Sequence, residues 1–246
     1  MKNPAGRIFV GTSGWSYSDW KENFYPPGLA QKHWFEFYSR QFSTVEINAT
    51  FYHLPKLKTV HGWRDQAPDD FMFAVKGSRF ITHIKKLANL GGALKTFGRR
   101  IRPMETHIGA VLWQLPPSLK RNPRLLKQFL RRLPKAFRHA VEFRDPSWLD
   151  GGIFEVLRHH QVALVSVSSQ RMPMDLTVTA DIVYLRFHGL AAGARHDYSR
   201  TELTPWAAHI RRQANAGKSV YAYFNNDANA RAPANAALLR EMVEGK

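Results

Sequence analysis

Ile182-Val183-Tyr184-Leu185-Arg186-Phe187-His188-Gly189 reads as a strand whose two faces differ in chemistry. Successive side chains of a strand point to opposite sides, so Leu185 and Phe187 share one face while Tyr184, Arg186 and His188 share the other. Seven more runs have a similar build: Ile8–Gly14, Thr44–Thr50, Phe71–Gly77, Ile108–Leu115, Ala140–Asp145, Val162–Ser168 and Ser219–Asn225. Most are rich in Val, Ile, Phe and Tyr and are bounded by Gly, Pro, Asn or Asp, as short strands set between turns are.

An amphipathic segment follows each run. Between Asn122 and Leu133, the residues Leu126, Phe129, Leu130 and Leu133 recur at helical spacing, and Asn122-Pro123 supplies an N-cap and first-turn pair. Thr204-Pro205 is expected to open a further helix and Gly217 to close it. Eight strand–helix units in 246 residues match an α/β architecture, a single (β/α)8 TIM-type barrel forming one domain over residues 1–246. A doubly wound open sheet would use the same alternation, but no G-x-G-x-x-G or Walker-type loop supports it.

Period two then sorts the other strands. Val45 and Ile47 oppose Glu46 and Asn48; Phe73 and Val75 oppose Ala74 and Lys76; Val141 and Phe143 oppose Glu142 and Arg144; Ala222 and Phe224 oppose Tyr221, Tyr223 and Asn225. Ser13, Gln114, Ser166 and Ser168 extend the polar set. In a barrel the apolar face meets the helices, and the polar ends of the strands form the mouth where barrel enzymes place their chemistry. Buried polar groups in such number must satisfy one another or meet a ligand. Purely structural roles compete with that reading: Glu46 with Lys76, and Glu142 with Arg144, are natural ion pairs, and the tyrosines are natural core.

Composition narrows the class. With 44% apolar residues the chain can build a core, and with no Cys it has no disulfides, thiolate metal sites or cysteine nucleophiles. No apolar run reaches the ~18 residues of a membrane span, and the amino end offers none long enough for a signal sequence, so a cytoplasmic, membrane-free protein is expected. The net charge of +17 is unevenly placed. Sixteen basic residues and one acid, Glu105, lie between Phe71 and Val141, a balance of +15, against twenty basics and eighteen acids elsewhere. Such a block suits an anionic partner.

Seven stretches, in order, resemble a known family. They are Gly11-Thr12-Ser13-Gly14-Trp15 with Tyr17 and Trp20, Val45-Glu46-Ile47-Asn48 leading to Phe51-Tyr52, Phe73-Ala74-Val75-Lys76, Gln114-Leu115-Pro116-Pro117, Glu142-Phe143-Arg144 with Pro146-Ser147-Trp148, Arg186-Phe187-His188-Gly189, and Tyr223-Phe224-Asn225-Asn226-Asp227. Over nearly its whole length the chain is similar to the YecE-like domain-of-unknown-function 72 family. The resemblance implies a TIM-type barrel and assigns no reaction. Many relatives carry an Asp near the end of the sixth strand, where this chain has Ser168-Ser169; a mechanism needing that acid does not carry over.

The candidate chemistry is an enzyme of hydrolase or lyase type acting on an anionic or sugar-like, polyhydroxylated ligand. Glu142 or His188 would transfer a proton, Lys76 would stabilise negative charge or act as an amine nucleophile, and Glu46 completes the candidate catalytic set. Arg144, Arg186, Asn48, Gln114, Tyr223, Asn225, Trp15 and Tyr17 would bind substrate, arginine forks matching phosphate or carboxylate. Glu46 with Glu142 also suggests a glycosidase pair, with Trp15, Tyr17, Trp20 and Trp148 as stacking residues. No histidine pair has metal-ligand spacing beside an acid, and the basic residues oppose a cation, so neither metal nor cofactor is named. The alternative is a nucleic-acid-binding protein or nuclease using the basic flank 71–141. Oligomeric state is not legible.

Overall fold

The computed structural model describes residues 5–245. Its strands are β1 (Ile8–Ser13), β2 (Thr44–Ile47), β3 (Met72–Lys76), β4 (Ile108–Gln114), β5 (His139–Glu142), β6 (Val162–Ser168), β7 (Ile182–Phe187) and β8 (Ser219–Phe224), and they close into a barrel in that order. The chain thus forms the (β/α)8 TIM-type barrel that the alternation predicts. Pairing is parallel: β1 runs along β8 from Ile8 opposite Val220 to Thr12 opposite Phe224, and Gln114 of β4 stands opposite Glu142 of β5. Around the strands lie α1 (Trp34–Gln41), α2 (Ala49–Tyr52), α3 (Leu57–Gln66), α4 (Ala93–Ile101), α5 (Pro123–Leu130), α6 (Gly151–His159), α7 (Arg200–Asn215) and α8 (Arg231–Glu244). No helix among the described residues is long and apolar enough to cross a membrane.

Packing divides the chain into two units. One takes in the chain through Glu46, Ser166–Leu176 and the chain from Asp181 onward; the other holds Ile47–Val165 and Thr177–Ala180. In the first, the apolar faces of β7 and β8 meet as Phe187 stacks on Phe224 at 4.3 Å, and Phe187 also touches Trp206 of α7 at 5.0 Å. In the second, Trp113 of β4 packs against Phe97 of α4 and Phe129 of α5, and Phe143 stacks on Trp148 at 4.8 Å. Phe187, assigned outward by alternation, thus covers the apolar face of α7 through Trp206.

Three local readings differ from the structure. The second run stops at Ile47, because Asn48 starts the short α2, and Thr50 Oγ1 pins that turn by donating to the Lys76 carbonyl at 2.6 Å. Helix α7 begins at Arg200 rather than at Thr204-Pro205. Ser199 and Glu202 form a capping box that satisfies its first amides, and Pro205 sits inside on an exposed face. No helix follows β6: the link 169–181 contains Pro173 and the β-branched Thr177-Val178-Thr179, and Thr179 Oγ1 instead bonds the Val162 carbonyl and the Leu164 amide, each at 2.7 Å. By contrast, Asn122 caps α5 through the Leu125 amide, and Gly217 adopts φ +83 at the end of α7.

Candidate active site

Within each unit, parallel pairing aligns polar residues: Ser13 stands opposite Glu46 in one, and Gln114 opposite Glu142 in the other. Ser13, Lys76, Gln114, Glu142 and Ser168 are the last residues of their strands, and His188 and Asn225 lie just beyond β7 and β8. In the unit holding β3–β5, Glu142 is wholly buried and accepts from Gln114 Nε2 at 3.0 and 3.1 Å and from Arg144 Nη1 at 2.9 Å. The Arg144 side chain is about a quarter exposed (26%) and Gln114 is half-buried, so the carboxylate is held from a side that solvent reaches. The Lys76 Nζ lies 4.5 Å above the Phe51 ring, a cation–π contact that also leaves it half-buried.

His83 joins this group from the single π-helical turn Phe80–Ile84. Its ring meets Phe51 edge-on at 4.9 Å, and its Nδ1 pairs with Thr82 Oγ1 at 2.8 Å. Burial, followed by the positive charges of Lys76, Arg79 and Arg144, holds its pKa below the ordinary histidine value, while Glu142 pulls the other way. The imidazole is therefore neutral at pH 7 and able to take a proton. Sequence reading weighed His83 only as a metal ligand and set it aside, because period two describes strands and says nothing of the turn beyond them. A π turn, which is frequent at functional sites, has no simple composition signal.

The other unit carries the second cluster. Glu46 is fully buried and accepts from the Ser13 hydroxyl, from Tyr184 OH at 2.7 Å and from Arg186 Nη2 at 2.7 Å. Arg186 is 1% exposed, and its Nη1 approaches His188 Nε2 at 3.3 Å, while Asn225 Nδ2 lies 3.3 Å from His188 Nδ1. Three donors thus satisfy the Glu46 carboxylate within its own cluster. Arg186 is engaged by Glu46 and orients His188 rather than offering an open fork. Burial pushes the phenols of Tyr184 and Tyr223 well above the usual range. Tyr223 is fully buried with its hydroxyl joined to Thr44 Oγ1 at 2.7 Å, so it belongs to the wall and is not exposed to a substrate.

The expected aromatic rim divides. Trp20 and Trp148 are fully buried, their indole N–H groups donating at 2.7 Å to the carbonyls of Asp227 and Leu119, so neither offers a stacking face. Trp15 and Tyr17 stay half-buried, Trp15 tilted on Phe35 and Tyr17 OH donating to the Ser13 carbonyl at 2.5 Å. Near Tyr17, Asp227 is a carboxyl that sequence reading left out of the site, although it ends a quoted motif; burial raises its pKa. Asn48 is half-buried at the start of α2. Among the described residues, no group of three or more His, Asp or Glu side chains could hold a metal ion.

A parallel (β/α)8 barrel with titratable groups at the carboxyl ends of its strands defines the class of protein. Residues 9–246 match the family described as "Protein of unknown function DUF72", and the chain belongs to that family. It is 34% identical to the UPF0759 protein YecE of Escherichia coli K12 over 146 residues, which is 59% of this chain and 51% of that one, so the match spans about half the length of YecE. UPF0759 protein YunF of Bacillus subtilis is 23% identical over 96% of this chain and 95% of its own length. Among solved structures, a DUF72 family protein from Thermotoga maritima superposes with a TM-score of 0.87 at 30% identity, covering 97% of this chain and 99% of that one.

Proposed function

We propose that this barrel is an enzyme of hydrolase or lyase type that moves a proton on a small anionic substrate, held in the unit that contains β3–β5. The supporting observation is Glu142: a buried carboxylate fixed in one orientation by Gln114 and Arg144, in a neighbourhood where Lys76, Arg79 and Arg144 outnumber it. A substrate phosphate or carboxylate would lie against Lys76 and the exposed part of the Arg144 fork. Glu142 then takes the proton, the neutral His83 serves as its exchange partner, and Lys76 stabilises negative charge developing on a substrate oxygen.

The test is thermal melting with a panel of phosphorylated sugars and carboxylic acids, followed by native mass spectrometry of the purified protein. A ligand at about a hundredfold its Kd adds about 2.7 kcal/mol, or roughly 5–10 °C for a chain of this size. The wild type should show such a rise, Lys76→Met should abolish it, and Glu142→Gln should retain the ligand while ending turnover. An equal rise in Lys76→Met and Arg144→Met would overturn the assignment.

A further inference from the structure

We infer that a groove formed by α4, the turn after it and the segment following α5 binds phosphodiester anions, and that its occupant is single-stranded nucleic acid. The groove encloses about 430 Å³ and is lined by four cations, Lys95, Arg99, Arg102 and Arg132, over a floor that includes Pro134 and Phe137. No acidic side chain lines it. That volume falls within the range of small-ligand sites, so a nucleotide unit fits.

Packing fixes the cations in place. Leu94, Phe97, Gly98 and Ile101 bury the inner face of α4, which leaves Lys95 and Arg99 exposed, one turn apart and about 6 Å along the axis. Gly98 permits the close approach that makes the floor, since a Cβ there would lie 3.1 Å from Pro134 Cγ. Arg132 is tied by donation to the Gly91 carbonyl at 2.8 Å, and Arg102 reaches Glu105 only at 3.4 Å. Lys95 and Arg99 form no ion pair among the described residues. Like charges at i, i+4 destabilise a helix by a few tenths of a kcal/mol. The dipole at the end of α4 favours Arg99, which lies in its last turn, and a bound polyanion would offset the remaining repulsion.

The extent of the charge selects the ligand. A lone phosphate would engage two of these groups, yet exposed cations continue through α5 and past it at Arg124, Lys127 and Arg131, within the stretch that holds sixteen basic residues and one acid. A strand of nucleic acid engages such a row, with sugar or base edges against Pro134 and Phe137. An anionic membrane fits less well, because the exposed large apolar residues of this unit, Tyr52, Leu54, Leu57, Phe80 and Ile84, lie on other segments.

The test is fluorescence anisotropy with a labelled single-stranded DNA of about twenty nucleotides, titrated from about 50 to about 200 mM salt. The wild type should bind and weaken with salt; Lys95→Glu and Arg99→Glu should each lower affinity at least about tenfold and flatten the salt slope by about 0.7 for each phosphate no longer neutralised. Lys32→Glu, an exposed cation outside the basic block, should change it less than about twofold. Circular dichroism melts establish that the variants fold. Equal losses in Lys32→Glu and Lys95→Glu, absence of oligonucleotide binding at low salt, or binding only to vesicles containing phosphatidylserine would each overturn the inference.

Discussion

Glu46 and Glu142 are both buried carboxylates facing an arginine, yet their surroundings assign them different work. Arg186 and Glu46 are 1% and 0% exposed, so removing one partner strands a charge in the interior. Arg186→Met should therefore lower unfolding free energy by about 3–5 kcal/mol in urea titrations. Adding Glu46→Gln should recover part of the loss, a coupling that a double-mutant cycle reads directly. Arg144→Met should cost about 1 kcal/mol, because its guanidinium is already partly in water. Alternation placed both glutamates on the polar face, since period two needs only the local strand. The partners were less legible: Tyr184 and Arg186 lie about 140 positions from Glu46 along the chain, and only barrel closure brings them there. Asp227 and His83 escaped because they lie beyond the strand ends, Asp227 before a 3-10 turn and His83 in the π-helical turn, where period two reports no direction.

At the level of elements, strand cores were legible and their ends less so. Hydrophobic runs mark where pairing is stable, but a turn residue such as Asn48 looks the same whether it closes a strand or opens a helix. Helix α7 makes the point in reverse. Thr204-Pro205 carries a helix-start signal, but the reciprocal Ser199–Glu202 box satisfies two orphan amides and wins. Ser199→Ala should cost about 1 kcal/mol of stability, whereas Thr204→Ala, whose hydroxyl only returns to the Arg200 carbonyl at 2.9 Å, should be within about 0.5 kcal/mol of neutral. Denaturant midpoints of the two variants distinguish the true start. A larger loss in Thr204→Ala would place the helix boundary where the sequence alone suggests it.

Across the whole molecule, the eightfold rhythm was legible from the alternation of runs, and the lack of a helix between β6 and β7 and the division into two units were not, because no linker composition marks either. The histidines are a further property that only the folded chain defines. Burial holds His83, His139, His160 and His209 below the ordinary value, His139 furthest, at about 4. His139 opens β5, at the end of the strand opposite Glu142; its Nδ1 accepts from Trp113 Nε1 at 3.1 Å and its Nε2 faces the Pro134 carbonyl at 2.9 Å. That arrangement fixes the neutral tautomer with the proton on Nε2, and a second proton would oppose the indole N–H. As pH falls below about 6.5 the unfolded chain takes up the proton first, so stability present at neutral pH is lost between about 6.5 and about 4. For His139 alone the loss by pH 4.5 is about 2–3 kcal/mol. The raised carboxyl of Asp227 works in the opposite direction, and the carboxylates held low by partners, Asp145 and Glu202, matter only nearer pH 4. Urea midpoints should therefore fall steadily from pH 7.5 to 4.5 in the wild type and fall markedly less in His139→Gln. An unchanged slope in that variant would place the acid sensitivity elsewhere in the barrel.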